Sequence, residues 1–214
     1  GCSRWCCSAP GRGRAGWNRL GAEVIGIDTL EVLAAQAVEG LSGYLTRSLK
    51  KRPEVTLKLA VSADGMIGRN GEGQVAITGD ISRRMVHIMR AQSDAIMVGA
   101  GTVAADDPDL TCRLPGLEKR SPVRIVLDGQ LRISQNSKLV KTARDVPIWI
   151  AGLPSADSAK RADLEAAGCR ILSCEDHEGT IALPELLDDL GAEGFASILL
   201  EGGAKAARNL LESG

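Results

Sequence analysis

The sequence predicts an α/β fold: a largely parallel β-sheet with helices on both of its faces. Three observations carry that prediction. From Val55 onward, short apolar runs alternate with segments of helical periodicity, the pattern of strand–helix–strand crossovers. Two of the runs, "AIMV" at 95–98 and "SILL" at 197–200, are almost continuously apolar, as strands covered on both sides are. At 214 residues the chain is also long enough to bury a substantial core around such a sheet.

Residues 1–24, "GCSRWCCSAPGRGRAGWNRLGAEV", hold four arginines and no acid before Glu23. They read as a frayed or shortened start, with an organelle transit peptide as the alternative. No apolar run follows the basic residues, so a secretory signal is not expected. Leu30, Leu33, Ala34, Ala37, Val38, Leu41 and Leu45 recur at helical steps and predict a helix over 28–50. "KKRPE" at 50–54 reads as a linker. Strands are expected at 55–61, 94–98, 123–128, 146–151, 169–173 and 196–200. Helices are expected at 80–92, 156–167, 184–190 and 203–213. Helix 80–92 starts at a Thr78 or Asp80 cap. Ile81, Met85, Ile88 and Met89 form its expected core stripe, while Arg83, His87 and Arg90 share another face.

The first strand poses a question. In "VTLKLAVSADG" (55–65), Val55, Leu57, Leu59 and Val61 alternate with Thr56, Lys58, Ala60 and Ser62. A lysine among such small neighbours suits the wet side of an edge strand. It equally suits a wall with room for a ligand, the ammonium pointing at it.

Composition narrows the function. Charge is balanced, 26 basic against 27 acidic residues, and the aromatics are confined to Trp5, Trp17, Tyr44, Trp149 and Phe195. Neither the basic footprint nor the stacking platform of a nucleic-acid binder is present, and a membrane-surface role is not expected. Cys2, Cys6, Cys7, Cys112, Cys169 and Cys174 form no CxxC pair, which suits a reducing compartment such as the cytoplasm. With His87 and His177 the only histidines, and no HExxH or His-x-Glu, a metal centre is not expected. No apolar window is long enough to span a bilayer.

In open α/β sheets, ligands gather at the carboxyl ends of the strands. After strand 94–98, Gly99-Ala100-Gly101-Thr102-Val103-Ala104 fits G-x-G-x-x-A. Asp106-Asp107-Pro108 should stop the helix after about one turn, which a Rossmann unit does not accept. The glycines still allow close backbone approach, and Thr102 and Asp106 can offer polar contacts. After strand 196–200, Glu201 precedes Gly202-Gly203, which lead straight into a helix. That arrangement is either a phosphate site, through free N–H groups and the positive dipole end, or a plain tight turn. Arg90 is either solvated or turned to an anionic substrate, as Arg suits phosphate. Together these positions suggest a dinucleotide and a second, anionic ligand.

"RPEVTLKLAVSADGMIG", "ITGDISRRMVHIMRAQSDAIMVGAGTVAADDPDLTCR", "PVRIVLD" and "ILLEGGAKAARNLL" resemble the reductase domain of the bifunctional riboflavin-biosynthesis deaminase/reductase over residues 50–214. The resemblance implies a dihydrofolate-reductase-like fold. It also implies NADPH-dependent reduction of 5-amino-6-(5-phosphoribosylamino)uracil to its ribitylamino product. Implied substrate contacts are Gln74, Arg90, Leu110, Arg113 and Glu201. Implied cofactor contacts are Ala60, Ala76, Thr102, Asp106, Gly129 and the helix start Gly203, Ala204, Lys205, Ala206, Ala207, Arg208 and Asn209. Lys58 is then the expected proton donor, with Glu201 the other candidate.

Arg132 and Lys138 are candidates for a cofactor 2′-phosphate. Gln74 and Ala76 depart from the family pattern, where tryptophan often stands at the latter position. The zinc motifs of the deaminase half, His-x-Glu and Pro-Cys-x-x-Cys, are absent. The expected organisation is a remnant of the deaminase tail plus linker at 1–50 and a reductase domain at 51–214 that lacks its last strands. Expected partners are a small phosphorylated pyrimidine and further copies of the chain. The alternatives are a dihydrofolate reductase, or a non-catalytic nucleotide-binding remnant. The first would want an acid where the helix carries Arg83, His87 and Arg90.

Overall fold

The computed structural model describes residues 41–67 and 77–212 of the chain. Two compact units divide it, Gly1–Leu45 and Thr46–Gly214. Of the first, only residues 41–45 are described, and the predicted helix over 28–40 lies outside the described residues.

The elements are α1 (Ser42–Lys50), β1 (Glu54–Lys58), α2 (Asp80–Gln92), β2 (Ala95–Gly99), α3 (Ala100–Asp106) and β3 (Val123–Leu127). Then follow α4 (Lys138–Lys141), β4 (Ile148–Gly152), α5 (Ser158–Ala166), β5 (Arg170–Ser173) and the short β6 (Asp176–His177) and β7 (Thr180–Ile181). The described chain ends with α6 (Leu183–Ala192), β8 (Ser197–Glu201) and α7 (Ala204–Glu212). Six strands form one sheet in the order β1–β8–β2–β3–β4–β5, and every neighbouring pair is parallel.

Alternation along the strands divides the core into two layers. Ile96, Val98, Val126, Ile148 and Ile150 meet Val103 of α3, Leu139 and Val140 of α4, and Leu164 of α5. Met97, Ile125 and Leu200 meet Leu183, Leu186 and Leu190 of α6 and Ala206 of α7. Helices therefore cover both faces, as the apolar runs imply. Each fully buried Leu or Ile contributes about 1.5–3 kcal/mol, which makes the central strands the stable part of the fold.

Several expected details change. The strand at 55–61 ends at Lys58, and Leu59 and Val61 are 41% and 51% exposed. Its neighbour β8 ends in register with it, Glu201 opposite Lys58, so no ladder partner remains beyond that point. The core stripe of α2 is also corrected: Ile81 is 87% and Met85 54% exposed. Only the second half of that helix, Val86 to Ala91, is half-buried, and its first turns project from the described core. Helix α3 runs to Asp106 and stops at Asp107, which takes the left-handed conformation at φ 38°. The Asp107 carboxylate also accepts from the Lys138 N–H at 2.8 Å. The β6–β7 hairpin and α4 have no counterpart in the periodicity.

Arg124, in the middle of β3, is fully buried. Its guanidinium donates to Thr142 Oγ1 (2.8 Å), to the Thr142 carbonyl (3.0 Å) and to the carbonyls of Leu139 and Val146. It thereby satisfies the C-terminal carbonyls of α4 that a four-residue helix leaves open. Burial pushes its pKa down to about 10, so it still carries charge at neutral pH.

Helix α6 comes so close to the chain after α1 that a Cβ on Gly191 would stand 2.1 Å from the Lys51 carbonyl oxygen. Gly191→Ala should therefore lower stability by about 1–3 kcal/mol, the usual cost of overpacking. Urea unfolding should show a lower midpoint at unchanged slope. An unaltered midpoint would refute the close approach.

Candidate active site

The register that ends β1 and β8 together puts Lys58 and Glu201 side by side on one face of the sheet. Glu201 is buried, and α2 supplies its partner. Arg90 Nε donates to Glu201 Oε1 at 2.7 Å and Arg90 NH2 to Oε2 at 2.8 Å, a bidentate pair with each side chain 11% exposed. The remaining Arg90 nitrogen donates to the Thr111 carbonyl at 3.0 Å, so one guanidinium ties α2, β8 and the 109–113 loop together. One helical turn earlier, His87 Nδ1 accepts from the Arg113 N–H at 3.3 Å. Lys58, Ala60, Thr78, Arg83, His87, Arg90, Arg113 and Glu201 surround a cavity of about 400 Å³.

Beside it lies a second cleft of about 280 Å³. Gly99 to Thr102 at the start of α3 form one wall, and Gly203, Lys205, Ala206 and Asn209 at the start of α7 form another. Asp128, Gly129, Gln130 and Arg132 after β3 close the third side, and the β6–β7 hairpin contributes Gly179, Thr180 and Ile181. Gly202 and Gly203 take φ of +73° and +84°, and a Cβ on Gly203 would stand 3.0 Å from Thr102 Oγ1. Only glycine keeps that turn both left-handed and close to α3. The two clefts meet at one strand end, Glu201 lining the first and Gly203 the second.

The residues singled out in the sequence divide accordingly. Lys58, Ala60, Arg90, Arg113 and Glu201 line the cationic cavity, and Thr102, Gly129, Gly203, Lys205, Ala206 and Asn209 line the glycine cleft. Ala60 is thus on the other side of β8 from most implied cofactor contacts. Gln74 and Ala76 lie outside the described residues.

Several expected site residues stand differently in the structure from what their motifs suggest. Leu110 is 3% exposed with its side chain in the core, so only its backbone, at φ 56°, is available to a ligand. Asp106 is exposed at the end of α3 and its side chain lines neither cleft; those of Ala204 and Arg208, also exposed, and of Ala207, which is buried, line neither cleft either. Lys138 likewise borders neither cleft, whereas Arg132 does. Glu201 is not a free acid: both its oxygens accept from Arg90, not from Lys58, which suits a residue that positions a cation better than one that donates a proton.

Sequence reasoning left out Arg83 and His87 as site residues, although both were visible on the Arg90 face of the helix. It also left out Asp128 and the hairpin, for which the sequence offers no signal beyond their place after a strand. Asp128 is 1% exposed, and its Oδ2 accepts from the Ile133 N–H at 2.7 Å, holding the turn that carries Arg132. Among the described residues no group of three or more His, Cys, Asp or Glu is placed to hold a metal ion.

A parallel sheet with two clefts meeting at the end of one strand is the architecture of a two-ligand α/β enzyme. Comparison with known proteins supplies the family: the RibD C-terminal domain profile matches residues 53–214, and the chain belongs to that family. It is 37% identical over 190 residues to the riboflavin biosynthesis protein RibD of Actinobacillus pleuropneumoniae, covering 88% of this chain and 50% of that one. The chain spans about half the length of the curated RibD relatives it matches. It is 33% identical over 168 residues to a 2,5-diamino-6-ribosylamino-4(3H)-pyrimidinone 5′-phosphate reductase of Methanothermobacter thermautotrophicus, covering 76% of this chain and 73% of that one.

Among solved structures, the Thermotoga maritima deaminase/5-amino-6-(5-phosphoribosylamino)uracil reductase matches with a TM-score of 0.73 at 29% identity. The match covers 94% of this chain and 52% of that one. A pyrimidine reductase-like protein of Corynebacterium diphtheriae, 18% identical with a TM-score of 0.63, shares the fold.

The Arg90–Glu201 pair yields a direct test. Arg90→Met leaves a carboxylate nearly buried without its partner, which should cost about 3 kcal/mol of stability. Chemical denaturation of the variant measures the loss. A change under about 1 kcal/mol, typical of exposed pairs, would show that the bridge is a surface feature.

Proposed function

We propose that this chain reduces 5-amino-6-(5-phosphoribosylamino)uracil to 5-amino-6-(5-phosphoribitylamino)uracil with NADPH. The observation that carries the reading is the junction at Glu201–Gly203, where a cationic cavity and a glycine-walled cleft open within two residues of each other. Membership of the RibD C-terminal domain family and the printed names of the relatives support it.

The glycine cleft suits a dinucleotide. The left-handed turn at Gly202-Gly203 opens a nine-residue helix, α7, whose first N–H groups have no intrahelical acceptor and suit a pyrophosphate. Thr102 stands against the same turn. Leu127, Ile181 and Leu183 beside Gly129 give the cleft an apolar end, which suits the adenine. Arg132, 75% exposed at the cleft, is the candidate for the 2′-phosphate that distinguishes NADPH from NADH. The nicotinamide supplies a hydride when bound.

The chain's own residues do the rest. Arg113 is bridged to Asp109 at 3.0 Å, but with both side chains about half exposed that contact is weak enough to yield to a phosphate. Arg83 adds a second exposed cation to the cavity. Arg90 is committed to Glu201 and Thr111, so its contribution to a substrate is a held positive charge rather than a free fork. Lys58, half-buried at the end of β1, is the group able to give a proton to the sugar oxygen as the ribosyl ring opens and its first carbon is reduced.

The reading is tested by following NADPH consumption with the phosphoribosylaminouracil and, in parallel, with the 2,5-diamino pyrimidinone named for the archaeal relative. Turnover of neither would refute it. Lys58→Met should lower kcat by about 10²- to 10⁴-fold, the usual weight of an acid–base group, with NADPH affinity kept. Arg113→Ala should raise KM for the pyrimidine about tenfold or more, for loss of a charge-assisted contact, without weakening NADPH. Arg132→Ala should do the reverse and narrow the preference for NADPH over NADH. If Arg132→Ala left that preference intact, the 2′-phosphate would have to sit elsewhere.

A further inference from the structure

His87 is a titratable residue of the cavity to which the proposed reaction gives no part. Its place is specific. It lies one turn before Arg90 on α2, and both reach the same loop. Arg90 donates to the Thr111 carbonyl, and His87 Nδ1 receives the N–H of Arg113 two residues on. Cys112, between them, is buried and donates its thiol to the His87 carbonyl at 3.4 Å. The loop that presents Arg113 is thus fastened to α2 at three consecutive residues. A backbone N–H can only donate, so Nδ1 must be unprotonated and the ring hydrogen must sit on Nε2.

We propose that His87 is a positioning residue: as a neutral acceptor it fixes the Arg113 backbone, and so aims the Arg113 guanidinium at the phosphate of the substrate. This rests on reading the cavity as the site of a phosphorylated substrate. The charged groups around the ring favour the neutral form. Arg83 and Arg90 on the same helix, Arg113 on the loop and Lys58 on β1 are cations, and among the described residues Glu201 on β8 is the one carboxylate lining the cavity with them. Burial first, and then Arg90 and Arg113, hold the His87 pKa below its ordinary 6.5, against the smaller opposing pull of the Thr111 backbone and Glu201, which favour the charged ring. Above 6.5 the acceptor is fully present. It is lost only as pH falls through the lower value of the folded protein, where Nδ1 takes a proton and can no longer receive the Arg113 N–H.

The experiment compares the wild-type chain with His87→Ala and His87→Gln. Glutamine keeps an acceptor at similar reach and does not titrate. Loss of the hydrogen bond should raise KM for the phosphorylated pyrimidine about five- to tenfold in His87→Ala with kcat little changed. His87→Gln should restore most of the affinity. The wild-type KM should rise relative to that of His87→Gln as pH falls below 6.5, a comparison that cancels the substrate's own phosphate titration.

Amide exchange by NMR supplies a readout that does not need turnover. Protection of the Arg113 N–H should vanish in His87→Ala and persist in His87→Gln. If that amide is equally protected in all three proteins, the inference is overturned whatever the kinetics. A KM that falls in acid relative to His87→Gln would also overturn it, because His87 would then act as a cation towards the phosphate. If the wild-type chain reduces neither pyrimidine, the functional reading falls by itself, and titration with ribose 5-phosphate still decides: the same affinity in wild type and His87→Ala sinks the positioning role.

Discussion

The ion pair between Arg90 and Glu201 is the contact on which the rest of the site depends. It joins residues 111 positions apart and brings three elements to one point: the second half of α2, the end of β8 and the loop that carries Arg113. Of the three, α2 is not held there by apolar packing alone, since it has no fully buried residue. The pair therefore supplies what the core does not. A bidentate guanidinium–carboxylate contact has one good geometry, so it sets the distance and the rotation of α2 against the sheet together. Lysine in place of Arg90 would keep the charge and lose that definition.

The same contact explains how two unlike clefts share a wall. Glu201 is the last residue of its strand, and the chain turns through two left-handed glycines directly after it into α7. A carboxylate at that point would repel a pyrophosphate at the helix start if it were free. Its neutralisation by Arg90 leaves the positive end of α7 uncontested. On the other side of the strand, Lys58, Arg83, Arg90 and Arg113 line the cavity with Glu201, held in the bidentate pair, as the carboxylate among its described lining residues; that lining is net cationic although the chain as a whole carries −1. Local charge, set by which groups are already paired, matters more to the site than the global balance.

Much of the fold was legible because its strands are continuous apolar runs and its helices have clear periods; β2, β3 and β8 fall within a residue of where the pattern puts them. The elements that escaped have no period to detect. The β6–β7 strands are two residues each, and α4 is a single turn held by Arg124, whose acceptors are carbonyls that no side-chain pattern reveals. The α2 stripe misled for the opposite reason: Ile81 and Met85 are at helical spacing, but their half of the helix stands clear of the described core. In the site, residue types were legible and partners were not. Glycine pairs after a strand announce a tight turn wherever they occur, whereas the partner of Arg90 is an acid far along the chain that reads equally well as a donor, a ligand or a spacer.

Lys58 illustrates how the two readings of one residue can both hold. It lies on the outermost strand of the described sheet, where a lysine is an ordinary guard against edge pairing, and Thr56 on its face is exposed. Yet the strand stops at Lys58 because β8 stops at Glu201, and that shared end is the floor of the cavity. An edge strand is therefore a suitable source for such a lysine: one side is packed through Val55 and Leu57, which fixes the backbone, while the other is open to admit substrate. A lysine on a central strand would be fixed as well but covered by a helix. Position at the edge and at the end of the strand together leaves the ammonium anchored by its backbone and reachable by its ligand.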